Sequence, residues 1–242
     1  MRSGDAPVEF SGKAPGRPME LLKVLIALGG QNVRADQLGD ALWPHVDADY
    51  AHRSFTATLH RLRRLLGEDA ALLLRDGRLS LEPGLVWVDL WALERVLADL
   101  DETLRASVSG RAPPRLEALV DEALALYRGP FLPDESEQPT FLAQREQTRA
   151  RLLRYLARAA RGWEEAQRPE AAIDCYLRLI DADPQYEAPY RNLMLSYQRA
   201  GDPAEARAVY ERLRTVLATT SKAMPTAETQ AVYAGLAQEL SG

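Results

Sequence analysis

Between Tyr50 and Gly67 the chain carries four arginines, two histidines and no acidic residue. Arginine and histidine side chains are hydrogen-bond donors, and the arginine fork matches either two phosphate oxygens or the O6 and N7 acceptors of guanine. At about 100° per residue, Leu59, Leu62 and Leu66 fall on the same side of a helix as Phe55. Arg53, Ala57, His60 and Arg64 fall on the opposite side, with Arg61 beside them. Arg63 lies toward the flank, where its stem can cover the core while its charge stays wet. A basic amphipathic helix standing alone is more often a solvated surface than a reader of nucleic acid, so its neighbours decide its meaning.

Those neighbours favour nucleic acid. Upstream, GRPMELLKVLIALGG predicts a helix, with Pro18 early and Gly29-Gly30 at its end. RADQLGDALW predicts a second, short helix stopped by Pro44, which gives helix-turn-helix spacing with the basic helix. Gly67 is a natural C-cap. Downstream, LLLRDGRLSL predicts a hairpin, because Asp76-Gly77 suits a type I′ turn in which both positions need positive φ. Leu85-Val86-Trp87-Val88 can add a strand, and before the first helix only Val8-Glu9-Phe10 has strand character. Charge agrees with this division. The net charge is −5, yet the residues up to Val86 hold 11 Lys/Arg against 11 Asp/Glu, and the remainder holds 19 against 24.

Other chemistries find no support. His45, His52 and His60 lie near Asp47 and Asp49, but no pair has a zinc-ligand spacing and no cysteine assists, so no metal or cofactor is expected. No nucleophile elbow, phosphate-binding loop or dinucleotide fingerprint occurs, so the expectation is not an enzyme. The lone Cys175 suits a buried position in a reducing cytosol. No apolar run approaches the roughly 18 residues of a membrane span, and MRSGDAPVEF has no signal-peptide core. A cytoplasmic protein away from membranes is expected.

From Asp89 onward the pattern is helical, broken at SGRAPP, RGPFLPDESEQP, RP, DP, GDP and KAMPT. AQRPEAAIDCYLRL, from Ala166, matches AGDPAEARAVYERL, from Ala200, at an offset of 34. Ala166/Ala200, Pro169/Pro203, Ala172/Ala206, Tyr176/Tyr210, Arg178/Arg212 and Leu179/Leu213 are identities, with Trp163 and Tyr197 in equivalent aromatic places. That period is the tetratricopeptide one, in which small alanines let paired helices approach closely. Tyr186, Tyr190, Tyr197 and Arg191 are candidates for lining a concave groove, although core packing is the commoner role of such residues. Trp87 and Trp91 are expected to pack two domains, 1–88 and 89–242, against each other.

ADQLGDALW, HRSFTATLHRLRRLLG, LLLRDGRLSL and VDLWALERVL together resemble the DNA-binding half of the bacterial transcriptional activator domain proteins. These include the SARP-type antibiotic regulators, with a winged helix of the OmpR/PhoB type. EALALYRGPFLPD and YRNLMLSYQRAGDPAEARAVYERLR resemble the activator domain that follows it. The implied fold is mainly α: a winged helix-turn-helix with a small hairpin wing, then an all-α tetratricopeptide-like domain. The implied function is sequence-specific binding of promoter DNA by a transcription regulator, an activator. On that resemblance Arg53, Thr56, Ala57, His60, Arg61 and Arg64 contact the major groove, and Arg75 or Arg78 contacts phosphate or minor groove from the wing. The helical half is implied to contact RNA polymerase, a second protomer or an effector. The family's winged helix opens with a three- or four-stranded sheet, and about 16 residues precede Arg17 here. The resemblance therefore implies either an incomplete sheet or a chain cut from a longer protein with a sensor or ATPase portion upstream. The competing readings are a protein-interaction scaffold and a ligand-sensing module built on the helical repeats without direct DNA binding.

Overall fold

The computed structural model describes residues 2–3, 6–7, 16–106, 111–135 and 138–239. They form two compact units: 1–94 with 130–149, and 95–129 with 150–242.

In the first unit, β1 (Arg2–Ser3) and β2 (Ala6–Pro7) precede helix α1 (Gly16–Ala27). Strand β3 (Val33–Arg34) leads directly into α2 (Ala35–Leu42), and α3 (Ala48–Leu66) follows a short turn. The hairpin is β4 (Leu72–Arg75) and β5 (Arg78–Leu81), followed by β6 (Val86–Trp87) and the start of α4 (Asp89–Arg105). Two small antiparallel sheets result, ordered β2-β1-β6 and β3-β5-β4. Val8, Glu9 and Phe10, the expected N-terminal strand residues, lie outside the described residues. β1 pairs with β6 instead, so the strand predicted around Val86 gains a partner from the start of the chain.

Leu21, Leu22, Val24 and Leu25 of α1 bury against Phe55, Leu59, Leu62 and Leu66 of α3 and against Leu72, Leu79 and Leu81 of the hairpin. This is the apolar stripe expected from the 3.6-residue period. Gly29 and Gly30 end α1 with φ of +99° and +76°. Gly30 is demanded twice, since its Cβ would also collide with the Trp91 ring. Trp91 Nε1 donates to the Gly29 carbonyl at 2.9 Å, and the ring is only 9% exposed within this unit. Trp91 therefore ties the start of α4 to the end of α1, a contact that crosses the cut expected near residue 88, whereas Trp87 is 44% exposed. The missing Cβ of Gly30 leaves the room that the indole occupies.

Residues 130–149 join this unit, where the sequence places a single cut near residue 88. Phe141 is 2% exposed in the same core, Phe131 meets it edge-on, and Arg145 Nε donates to the Phe131 carbonyl at 2.7 Å.

The second unit contains the rest of α4, α5 (Leu116–Leu126), most of α6 (Pro139–Glu165), α7 (Pro169–Ala182), α8 (Glu187–Arg199), α9 (Pro203–Thr220) and α10 (Ala227–Glu239). The repeat identities are its core: Ala172 and Ala206, Tyr176 and Tyr210, Leu179 and Leu213 are all buried, on α7 and α9. Tyr190, a candidate for a groove lining, is fully buried with its hydroxyl donating to the Pro184 carbonyl, and Arg191 pairs with Glu228 at 3.1 Å. Cys175 is also buried, and burial pushes its thiol up to about 12, which leaves it inert.

Candidate nucleic-acid interface

Helix α3 begins two residues earlier than its basic run, because Asp47 serves as N-cap and accepts from the Tyr50 amide at 3.0 Å. Gly67 ends it in the left-handed conformation at φ +72°. Between these caps Phe55, Leu59, Leu62 and Leu66 point inward, joined by Thr58, which is 4% exposed. Fixing the inner face fixes the outer one. Arg53, Thr56, Ala57, His60, Arg61 and Arg64 are all exposed, and at 100° per residue they occupy an arc of about 140°. Among the described residues no carboxylate pairs with Arg53, Arg61 or Arg64. Thr56 Oγ1 donates to the His52 carbonyl at 3.0 Å and keeps its lone pairs for an outside donor. Ala57 leaves space on the arc for close approach.

Arg63 behaves differently, as its flank position predicts. Its Nη2 donates to the Leu72 carbonyl at 2.8 Å, which ties α3 to the hairpin. Between the hairpin strands Asp76 and Gly77 have φ of +48° and +70°, as the type I′ turn requires. Arg75 stands directly opposite Arg78 in the register, and both are exposed. Arg78 Nη1 donates to the Asn32 carbonyl at 3.2 Å.

Arg34 is the residue that sequence reasoning missed. It stands opposite Arg78 on the other side, in β3. Its guanidinium holds Asp36, with Nε donating to Oδ1 at 2.9 Å, and keeps that carboxyl below the usual carboxylate range. The sequence signal was weak: a lone arginine before a helix says nothing until a strand 44 residues away pairs with it. Tyr50, 50% exposed on the first turn of α3, is a second exposed group beside the arc. No group of three His, Cys, Asp or Glu among the described residues is arranged to hold a metal ion. No helix there is long and apolar enough to cross a membrane.

Three comparisons bear on this geometry. Residues 88–236 match the family model "Bacterial transcriptional activator domain". The chain is 30% identical over 227 residues to the transcriptional regulatory protein MoaR1 of Mycobacterium tuberculosis, covering 91% of this chain and 71% of that protein. The MoaR1 of Mycobacterium bovis matches to the same extent. Among solved structures, Mycobacterium tuberculosis EmbR, determined in complex with a low-affinity phosphopeptide, superimposes with a TM-score of 0.64 at 21% identity. That superposition covers 97% of this chain, which spans only 61% of the EmbR chain. At that identity the likeness is one of fold: a mainly helical chain with small sheets.

Proposed function

The chain belongs to the bacterial transcriptional activator domain family, a family of DNA-binding transcription regulators, and from that premise we propose that α3 reads promoter DNA in the major groove. The observation that carries this reading is the outer arc of α3, a run of cationic and small residues with no acid partner among the described residues, backed by an inner face that is apolar apart from Thr58. A helix fits the major groove of B-DNA, where each base pair presents a distinct donor and acceptor pattern. Arg61 and Arg64 supply forks for guanine, His60 and Thr56 supply shorter polar groups, and Ala57 offers an apolar contact for a thymine methyl. Arg53, one turn before Ala57, meets a base edge or a phosphate at the near end. Arg75 and Arg78 at the wing meet phosphate or minor groove, which fixes register without reading sequence.

In this reading residues 1–88 are the DNA-binding domain and 89–242 the activator domain. The activator half contacts RNA polymerase, a second protomer or an effector. The chain acts by binding, in the cytoplasm, and carries out no catalytic step.

The test is titration of the protein against duplex DNA at several salt concentrations, with Arg61→Ala/Arg64→Ala as comparison. Binding through several phosphates makes log K fall steeply and linearly with log salt. A double variant that keeps its fold and loses sequence preference supports the reading. Association that ignores salt, or a double variant that binds like the parent, contradicts it and favours the scaffold.

A further inference from the structure

We propose that Arg34 is a DNA-contacting residue, the end member of an arginine ladder formed with Arg78 and Arg75 that grips one sugar-phosphate strand beside the groove read by α3. The inference rests on the α3 reading and extends it to a residue in another strand.

Two observations carry it. The first is the register. Arg34 pairs with Arg78 across β3-β5, and Arg78 pairs with Arg75 across β5-β4. Residues directly opposite one another in an antiparallel sheet point to the same face, so the three guanidinium groups form a row. Like charges in that relation destabilise a sheet. Among the described residues no carboxylate pairs with Arg75 or Arg78, and Glu82, which lines the same shallow groove, is paired with neither. Within the row Arg34 has Asp36 beside it, while Arg75 and Arg78 stand opposite each other without an acid partner among the described residues.

The second observation is the position of Arg34. It is the N-cap residue of α2, a place that favours Ser, Thr, Asp or Asn, and its side chain makes no capping hydrogen bond. The Gly77 carbonyl and Asp36 Oδ1 accept from the Ala35 and Gln37 amides instead, so the Arg34 side chain has no capping duty and reaches outward. The paired Asp36 does not remove the charge from reach, since the two side chains are 62% and 57% exposed.

Duplex DNA is the occupant that this geometry fits. Strands in a sheet lie about 4.8 Å apart, so the row spans about 10 Å. One strand of B-DNA carries a phosphate for each ~3.4 Å of axis, so the row can meet two or three of them. The ladder is also fixed to the proposed reading helix. Arg63 of α3 donates to Leu72 in β4, and the Ala35 amide donates to the Gly77 carbonyl at 2.8 Å, which holds the wing turn against the start of α2.

Arg34→Ser separates a contact from a structural role, because serine is a better N-cap. The variant is expected to raise the Tm while weakening binding of a random-sequence duplex, with the slope of log K against log salt reduced by about 1. Arg34→Lys keeps the charge and keeps the slope. The sequence enriched from a duplex library stays the same, because a phosphate contact carries no base information. If Arg34→Ser raises the Tm and leaves affinity and slope unchanged, the proposal is overturned. If Arg75→Ala and Arg78→Ala also leave the slope unchanged while Arg61→Ala/Arg64→Ala abolishes binding, the ladder fails and the α3 reading stands. If the parent protein shows no salt-dependent binding, both fall together.

Discussion

The helices of the second unit and the outer arc of α3 use the same residue in opposite ways. In the second unit several arginines are answered by acids within the chain: Arg158 by Asp101 at 2.5 Å, Arg212 by Asp181 at 2.8 Å, Arg191 by Glu228 at 3.1 Å, and Arg178 by both Asp121 and Asp174. In the first unit the arginines of the α3 arc and the wing face outward, and among the described residues Arg53, Arg61, Arg64 and Arg75 have no acid partner. Charge that is neutralised internally holds helices together, whereas charge left exposed on a rigid scaffold is available to a polyanion. The near balance of charge in the first 86 residues thus conceals a segregated surface, and the net charge of −5 says little about partners.

Substitutions can break that contrast. The largest effect is expected from Arg61→Ala/Arg64→Ala, at about 1–3 kcal/mol of DNA affinity for each arginine and no more than about 0.5 kcal/mol of stability for each. Fluorescence anisotropy and thermal melting measure the two, and a large fall in Tm would place these arginines in the structural class. Arg158→Ala should show the reverse. It leaves Asp101, whose side chain is 13% exposed, with Arg105 but without Arg158, and should lower the midpoint of chemical denaturation. DNA affinity should be unchanged. Arg212→Ala, at a pair exposed by 46% and 70%, should cost at most about 1 kcal/mol.

Acid sharpens the same contrast. Arg158 holds the Asp101 carboxyl below the usual carboxylate range, so that group contributes stability above its unfolded pKa of about 3.9 and loses it as pH falls through the lower folded value. Asp101→Asn should therefore flatten the stability profile below about pH 4, and an unchanged profile would show that the pair carries no linkage. The smallest effect concerns Cys175. Its buried thiol should resist iodoacetamide in the native protein at neutral pH and react once the protein is unfolded.

What could be read in the sequence follows from range. The two faces of α3 and the positive-φ turn at Asp76-Gly77 depend on residues a few places apart, and periodicity or turn chemistry exposes them directly. The 34-residue repeat was legible because its small and large residues recur in buried positions. Arg34 was not, because its meaning comes from strand pairing across 44 residues. The partner of Trp91 was not legible either, because it is a backbone slot made by Gly29 and Gly30, which no pattern announces. Phe141 joins a core drawn from Leu21 to Trp91, so a linear cut at residue 88 separates residues that pack together. Tyr190 faces inward, the commoner role expected of such a residue.

The most direct test of the central claim is selection from a random duplex library by the native protein and by Arg61→Ala/Arg64→Ala, with the fold of each checked by thermal melting. An enriched motif that disappears in the folded double variant is the predicted result. The same motif enriched by both proteins would contradict α3 as the reading helix.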